Sequence, residues 1–334
     1  MRNGDEQMRV LDSEEASQRA EEDIMRIFVT GASGHIGSAV VPELLDAGHH
    51  VIGLARSGAS APALTPAGAE VRRGDLDDVA GLQDAAAAAD GVIHLAFKHD
   101  LAFTGDFVGA AAADLRAVKA IGVALQGSQK PFVVTSGTLL LSGAGPPRVA
   151  TEGDRVESGP RIDSENAVIA MADTGVRSSA IRLAPTVHSA LDHHGFVPTL
   201  IAMARKNGVA VYVGDGSNRW PAVHTLDAAR LYRLALEKAP AGSRLHGVGD
   251  EGVPFRAIAE AIGRGVGLPA ASITAERAPQ YLGFLAAFAQ IDNPTTSAQT
   301  RALVGWRPSH PDLLADLAER HYFEPSAPTV LQAR

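Results

Sequence analysis

The sequence contains no cysteine in 334 residues. A disulfide framework, a zinc site with cysteine ligands and a catalytic thiol are therefore excluded. Aromatic residues are scarce at 5%, and no basic stripe with interleaved aromatics is present, so we do not expect nucleic acid as a partner. The function must depend on other side chains, on a bound cofactor, or on both.

Long apolar runs are also missing: no stretch approaches the roughly 18 residues that a membrane-spanning helix needs. Residues 1–24 hold eight acids and three arginines and lack the apolar core of a secretory signal. We therefore expect no membrane partner, a cytoplasmic location, and a disordered acidic extension over 1–24. The abrupt change to an apolar strand at Met25 leaves open whether that extension belongs to the native protein.

From Met25 onward, short β-branched runs alternate with amphipathic stretches. Strands are predicted at 25–30, 50–55, 69–74, 91–97, 131–136 and 177–183, and the first helix at 35–48. Apolar strands that are covered on both faces are typical of a parallel sheet with helices on each side. The predicted fold class is α/β, a Rossmann-type doubly wound parallel sheet.

A composition change after residue 184 indicates a second unit, because 185–220 is richer in proline, glycine and histidine. The sequence predicts a Rossmann domain over 25–184 and 221–250. A smaller, discontinuous α/β substrate lobe is expected over 185–220 and 251–330. The ligand cleft should lie above the carboxyl ends of the strands.

The segment TGASGHIG (30–37) follows the first strand directly and opens the first helix. Gly31, Gly34 and Gly37 allow a tight turn, close approach to a diphosphate and packing of the helix on the sheet. The backbone N–H groups at the start of the helix favour that anion. In this context the segment predicts dinucleotide binding; a purely structural glycine-rich turn is the alternative.

The second predicted strand ends without the acid that would accept the ribose hydroxyls of NAD, since no Asp or Glu occurs between Gly48 and Ala69. Arg56 and Ser57 stand there instead. A guanidinium and a hydroxyl suit a 2′-phosphate, so NADP(H) is favoured over NAD(H). A solvated arginine with unspecific cofactor choice is the alternative.

Five segments resemble the extended short-chain dehydrogenase/reductase superfamily, which includes the NAD-dependent epimerases and dehydratases. They are TGASGHIG, GDL (74–76), IHLA (93–96), VTSGT (134–138) and GDGSNRWPAVHTLD (214–227), and the resemblance extends from residue 25 to about 320. It implies that Asp75 meets the adenine amine, that Leu95 and Ala96 line the nicotinamide side, and that Ser136 takes the place of the catalytic serine. A strand-end hydroxyl bonded to a backbone carbonyl is the alternative for Ser136. The expected cofactor-binding residues are Gly31, Ser33, Gly34, His35, Ile36, Gly37, Arg56, Ser57, Asp75, Leu76, Leu95, Ala96 and Thr135.

That superfamily places a tyrosine, and a lysine four residues later, roughly two dozen residues after the serine. The corresponding stretch here is RIDSE, with Arg161 and Glu165 at the two positions. The four tyrosines of the chain, Tyr212, Tyr232, Tyr281 and Tyr322, all follow the sixth strand. Arginine is a poor acid, and a glutamate could reach a ribose hydroxyl but could not lower a neighbouring pKa as a lysine does. A weak surface ion pair between the two residues, or a displaced alignment, is the alternative.

The proton for a reduction must then come from elsewhere. The options are Ser136 with a water chain, Lys98 or His99, Tyr212, or His188, and Arg161 could orient a carbonyl or carboxylate. The expected catalytic set is therefore Ser136, Arg161, Glu165, Lys98 and Tyr212.

Two further segments bear on function. HSALDHHG (188–195) matches no common zinc spacing, so no metal is expected. Arg219 matches an arginine that contacts the diphosphate in nucleotide-sugar relatives. Trp220 follows it where those relatives have an acid, which favours an apolar or aromatic substrate or packing between lobes.

The sequence thus predicts an NADP(H)-dependent oxidoreductase that reduces a small carbonyl-like compound. The alternatives are a non-catalytic NADP(H)-binding sensor and a nucleotide-sugar epimerase or dehydratase. The resemblance also implies a homodimer through helices at about 106–127 and 161–174.

Overall fold

The computed structural model describes residues 24–56, 64–65, 68–142 and 148–324, without the side chain of Phe103. Seven parallel strands form the main sheet: β1 (Arg26–Thr30), β2 (His50–Ala55), β3 (Glu70–Arg73), β4 (Gly91–His94), β5 (Pro131–Gly137), β6 (Arg177–Leu183) and β10 (Ser243–Gly247). Their order is β10-β6-β5-β4-β1-β2-β3. The order reverses between β1 and β4, which is where a sheet of this kind binds its ligand.

Helices cover both faces of this sheet. In chain order the described helices are α1 (Gly37–Asp46), α2 (Val79–Ala88), α3 (His99–Phe103), α4 (Phe107–Leu125), α5 (Ile162–Ala170), α6 (Phe196–Asn207), α7 (Thr225–Lys238), α8 (Phe255–Val266), α9 (Ala278–Leu282), α10 (Ala298–Val304) and α11 (Leu313–Asp316). One face of the sheet packs against α1 and α7, and the other packs against α2, α4 and α5. Ile27, Phe28 and Val29 in β1 are fully buried between these layers, and each contributes about 1.5–3 kcal/mol of hydrophobic stabilisation.

The second lobe is built on two small sheets. β7 (Thr186–His188) lies parallel to β9 (Arg219–His224), and β11 (Asp250–Pro254) lies antiparallel to β9 on its other side. β8 (Ala210–Val213) and β12 (Ala270–Ile273) form a parallel pair. Trp220 and Phe255 are almost completely buried in the core of this lobe.

The predicted fold class is confirmed, and the strands are close to their expected positions. Strand β4 ends at His94 rather than at residue 97, and α1 begins at Gly37 rather than at residue 35. Residues 219–224 pair with β7 and β11, while Val223, within the segment expected in the Rossmann domain, packs into the same core as α1 and α7. Val304 and Trp306, expected in the second lobe, pack into the core beside α1 and α7.

None of the helices among the described residues is long and apolar enough to cross a membrane. Residues 1–23, which carry most of the predicted acidic extension, lie outside the described part of the chain.

Candidate active site

The glycine-rich loop lies against the carboxyl end of β4. Gly31 has a φ of +70°, and a Cβ there would lie 2.7 Å from the Ala96 backbone nitrogen. A Cβ at Gly37 would lie 2.2 Å from the Gly31 carbonyl oxygen. Gly34 differs: its Cβ would meet only that same oxygen, at 3.3 Å, among the described atoms. Two glycines are therefore needed for internal packing, and the third leaves room for a ligand to approach the backbone.

The side chains of the loop face different ways. Ser33 is exposed and Ile36 packs against the core below α1. The His35 ring lies 2.9 Å from the Thr225 hydroxyl at the start of α7. The loop is thus fixed through His35 and Ile36, while its backbone N–H groups remain the groups suited to a diphosphate.

A buried hydrogen-bond chain supports the loop from below. The Thr30 hydroxyl lies 2.8 Å from His94 Nδ1, and His94 Nε2 lies 3.3 Å from an Asp114 oxygen. The backbone nitrogens of Leu95 and Ala96 donate to the Thr30 carbonyl and hydroxyl, respectively. Leu95 and Ala96 therefore have a fixed backbone where the resemblance places the nicotinamide. Sequence reasoning missed Thr30, His94 and Asp114.

Asp114 is 1% exposed. Burial alone would raise the pKa of its carboxyl, but the His94 hydrogen bond and the nearby Arg161 charge outweigh burial and hold the pKa below its usual value. Its Oδ2 atom has no hydrogen-bond partner within the described structure. Asp114 is therefore a buried negative charge beneath the site.

The adenosine end of the site is formed by the ends of β2 and β3. Arg56 Nη1 lies 3.2 Å from Asp100, and both side chains are 65% exposed. Asp75 is half-buried and accepts from the Asp77 backbone nitrogen at 3.0 Å, and Leu76 is buried. The predicted contact at Ser57 lies outside the described residues. Arg73, which sequence reasoning missed, is an exposed cation in register with Ala55, and its position at a strand end was the available signal.

Thr135 and Ser136 point to opposite sides of β5. The Thr135 hydroxyl donates to the His94 carbonyl at 3.0 Å and lies 2.7 Å from the buried Tyr232 hydroxyl. The Ser136 hydroxyl donates to Glu165 at 2.6 Å in the interior. Ser136 therefore acts as an internal hydrogen-bond donor in this structure. Its acceptor is the Glu165 carboxylate rather than the backbone carbonyl of the structural alternative.

Glu165 is 2% exposed and lies between two arginines. Arg182 donates to both carboxylate oxygens, at 2.6 and 3.0 Å, and Arg244 donates at 2.9 Å. Burial raises the pKa of Glu165, but these arginines and Ser136 outweigh burial and hold it below its ordinary value. The carboxylate joins α5 to β5, β6 and β10, so the expected contact with a ribose hydroxyl finds no support in this geometry.

Arg161 precedes α5 with a φ of +64°. Its Nη2 atom donates to the Thr135 carbonyl at 2.8 Å, and the guanidinium carbon lies 4.1 Å from the centre of the Phe97 ring. No carboxylate of the described chain lies within ion-pairing distance of it. The guanidinium is half-buried at the carboxyl ends of β4 and β5, next to the glycine-rich loop.

The other predicted proton donors have separate environments. Lys98 forms an ion pair with Asp77. The His99 ring packs edge-on to Phe97, and burial, followed by the Arg161 charge, lowers the pKa of His99. Tyr212 belongs to the core of the second lobe, where its ring packs beneath Arg256. His188 is buried on Asp316 at 2.8 Å. Of these residues, His99 is the one that the described contacts place beside Arg161.

The segment predicted to bind nucleotide sugars is occupied by internal contacts. Arg219 makes a bidentate pair with Asp292, at 2.8 and 3.0 Å. Trp220 is 1% exposed between Phe196 and Phe255. It is therefore a core residue of the second lobe. No group of three or more potential metal ligands occurs among the described residues.

Comparison with known proteins also indicates an NAD(P)-binding domain. A protein-family model described as NAD(P)H-binding matches residues 31–149. An uncharacterized protein of Schizosaccharomyces pombe is 46% identical over 301 residues, which cover 90% of this chain and 100% of that protein. A 2′-dehydrokanamycin reductase of Streptomyces kanamyceticus is 30% identical over 79% of this chain and 74% of its own length.

The fold has solved counterparts. The dTDP-glucose 4,6-dehydratase DesIV of Streptomyces venezuelae, solved with NAD bound, matches with a TM-score of 0.70 and 20% identity over 90% of this chain and 97% of its own. The sequence relatives, the family match and the seven-stranded parallel sheet lead to one assignment. The chain belongs to the extended short-chain dehydrogenase/reductase family, that of the NAD-dependent epimerases and dehydratases, and carries its NAD(P)-binding Rossmann domain.

Proposed function

We propose that this protein is an NADP(H)-dependent oxidoreductase that reduces a small carbonyl compound. One observation carries the proposal: the glycine-rich loop and the Arg161 guanidinium meet at the same edge of the sheet. Gly31 approaches Ala96, and the next residue, Phe97, lies beneath Arg161. A dinucleotide on the loop would extend toward a fixed cation, as expected at the point where the strand order reverses.

The residues present fit such a cofactor. The backbone at Gly34 is open on the side where a Cβ would lie, which would let a diphosphate approach it. The Thr30 hydrogen bonds fix the backbone of Leu95 and Ala96, the residues expected on the nicotinamide side. Asp75 is half-buried at the end of β3, where the resemblance places the adenine amine. The residues named thus correspond to both the nicotinamide end and the adenosine end of a dinucleotide.

Preference for NADP(H) is supported by two cations at the adenosine end. The Arg56–Asp100 pair is exposed to solvent and therefore weak, so a 2′-phosphate could replace Asp100 at little cost. Arg73 lies on the adjacent strand with its side chain exposed. Two arginines at neighbouring strand ends suit a doubly charged phosphate.

The proposed reduction depends on two side chains at the carboxyl ends of the strands, Arg161 and His99. NADPH held by the loop would supply the hydride for the carbonyl carbon, and the carbonyl oxygen, left with the electron pair, would then need a proton. Arg161 stabilises the charge on that oxygen but does not deliver the proton, because its guanidinium remains protonated. His99, whose pKa is lowered, is a largely neutral imidazole at pH 7 and can relay the proton from water.

The cofactor assignment is tested by calorimetric titration with NADPH and, separately, with NADH. We expect tighter binding of NADPH, and Arg56→Ala should weaken NADPH binding by about 10- to 100-fold, the loss of a charge-assisted hydrogen bond. Binding of NADH should not change. Arg26→Ala is the matched control, since Arg26 forms an exposed ion pair with Glu70 at the amino end of the sheet. Equal binding of both cofactors by the unsubstituted protein would contradict the preference.

A non-catalytic NADP(H)-binding protein is the second candidate, and the replacement of tyrosine and lysine by Arg161 and Glu165 favours it. Turnover of any member of a carbonyl panel with NADPH would exclude it. A nucleotide-sugar epimerase is disfavoured because Arg219 is already paired with Asp292. Tight binding of UDP-glucose, lost in Arg219→Ala, would restore that candidate.

A further inference from the structure

We infer that the substrate is a small oxo acid, whose carboxylate is bound by Arg161 next to the carbonyl group that is reduced. This inference rests on the proposed function and specifies its substrate class. It starts from the contacts of the Arg161 side chain.

The charge of Arg161 has no direct counterion in the described structure. Arg182 and Arg244 are neutralised by Glu165, and Arg233 by Glu43 and Glu237. Half-buried Arg177 also has no carboxylate partner, but its two terminal nitrogens donate to two backbone carbonyls. Arg161 instead has one hydrogen bond, from Nη2 to a carbonyl oxygen, and one ring contact. A half-buried guanidinium with unused N–H donors is an anion-binding group.

The backbone and the Phe97 ring hold this guanidinium in one orientation. Arg161 is one of two non-glycine residues with positive φ in the described chain, a strained conformation that is found mainly at functional sites. The guanidinium carbon lies 4.1 Å from the Phe97 ring centre and Nη2 bonds the Thr135 carbonyl, so two contacts hold the side chain in place. A fixed planar fork matches the two oxygens of a carboxylate.

The neighbouring charges leave the site electropositive. Lys98 is neutralised by Asp77, so it does not compete with Arg161 for an anion. Burial and the Arg161 charge both disfavour protonation of His99. Asp114 is buried on His94 and is not within ion-pairing distance of Arg161. Asp114 therefore offsets part of the Arg161 charge from a distance and leaves the N–H donors of Arg161 unoccupied.

The position of Arg161 limits the substrate class. A carboxylate on its free edge would lie beside Ala96 and Phe97, on the side expected for the nicotinamide. The carbonyl must then lie close to the carboxylate, as in a 2-oxo or 3-oxo acid. A neutral ketone would leave the guanidinium without an anion. In a long-chain acid, the carbonyl and the carboxylate would be too far apart for both to lie in place at the same time.

The experiment compares oxo acids with their methyl esters, which differ in one charge. With NADPH and a panel of 2-oxo and 3-oxo acids, we expect kcat/KM for the best acid to exceed that of its ester by about 10- to 100-fold. In Arg161→Gln, kcat should fall for acid and ester alike, because the charge on the carbonyl oxygen is no longer stabilised. The acid-to-ester ratio should fall to near one because the acid also loses its tighter KM, and Arg161→Lys should restore part of the ratio. A ratio that is the same in Arg161→Gln and the unsubstituted protein would overturn the inference, as would equal turnover of acids and esters.

Binding makes the inference testable without turnover. Malonate and its neutral diamide are titrated calorimetrically into the protein saturated with NADP⁺. Malonate should bind in preference to malonamide, and Arg161→Gln should abolish the preference while NADP⁺ affinity stays the same. Absence of malonate binding would contradict the oxo-acid class. Absence of NADP⁺ binding would instead overturn the proposed function, so the two failures are distinguishable. Arg26→Gln, at the other end of the sheet, is the control.

Discussion

Arg161 and Glu165 lie four residues apart at the start of one helix and have opposite environments. Glu165 points inward, where it takes hydrogen bonds from Arg182, Arg244 and Ser136. Arg161 points toward the sheet edge and rests on Phe97. A surface ion pair between them, which the spacing allows, is not formed. Glu165 is therefore tied into the interior, whereas Arg161 has no carboxylate partner among the described residues.

Glu165→Gln should destabilise the fold by about 3–5 kcal/mol, because it leaves two arginines around a neutral group in the interior. Urea unfolding measures the change. Glu260→Gln is the control, since Glu260 forms a solvent-exposed pair with Arg256 on α8, and its loss should change the stability little. If Glu165→Gln kept normal stability and lost NADPH affinity, the ribose role expected from the resemblance would be correct after all.

At the scale of single elements, the glycine-rich loop was predictable because its constraints are local. The strand, the three glycines and the helix follow one another in the chain. Thr30, His94 and Asp114 were not recognised, because each is a lone polar residue in an apolar or alanine-rich segment. Their partners lie up to 64 residues away. Strand β4 also ends earlier than predicted, at His94.

Gly31→Ala should reduce NADPH affinity at least about tenfold, because its Cβ would force the loop away from Ala96. Gly48→Ala is a matched control: Gly48 has a φ of +89°, but a Cβ there meets nothing within 4 Å. It should cost about 1 kcal/mol of stability through φ alone and leave NADPH binding unchanged. Calorimetry and thermal unfolding separate the two effects. Equal loss of affinity in both variants would show that the close approach to Ala96 is unimportant.

At the scale of the whole molecule, a histidine joins the glycine-rich loop to the second lobe. His35 contacts Thr225 at 2.9 Å and lies 3.7 Å from the buried Asp192. Burial raises the pKa of Asp192 to about 6, whereas burial and nearby histidines lower the pKa of His35 to about 4. These contacts span up to 190 residues, so no local pattern in the sequence indicates them.

The lowered pKa of His35 predicts a loss of stability in acid. As the pH falls from 6.5 toward 4, the unfolded chain binds a proton at His35 before the folded chain does, so His35 disfavours folding by roughly 1–2 kcal/mol near pH 5. Asp192 acts in the opposite direction, since the folded carboxyl takes its proton first as the pH falls through 6. His35→Gln should therefore lose less stability between pH 7 and pH 5 than the unsubstituted protein.

Thermal unfolding at the two pH values measures this difference. His50→Gln, at the exposed start of β2, provides the control and should follow the unsubstituted protein. Identical pH dependence in His35→Gln would mean that the histidine does not link the loop to acid stability.

The proposed reaction transfers a hydride from NADPH to an oxo acid whose carboxylate is bound by Arg161. The most direct measurement uses NADPH deuterated at the transferable hydrogen and mass spectrometry of the hydroxy acid product. We predict one deuterium per product molecule, with product formation strongly reduced in Arg161→Gln at equal cofactor occupancy. No labelled hydroxy acid from any member of the panel, with NADPH bound, would contradict the claim and indicate a binding protein without turnover.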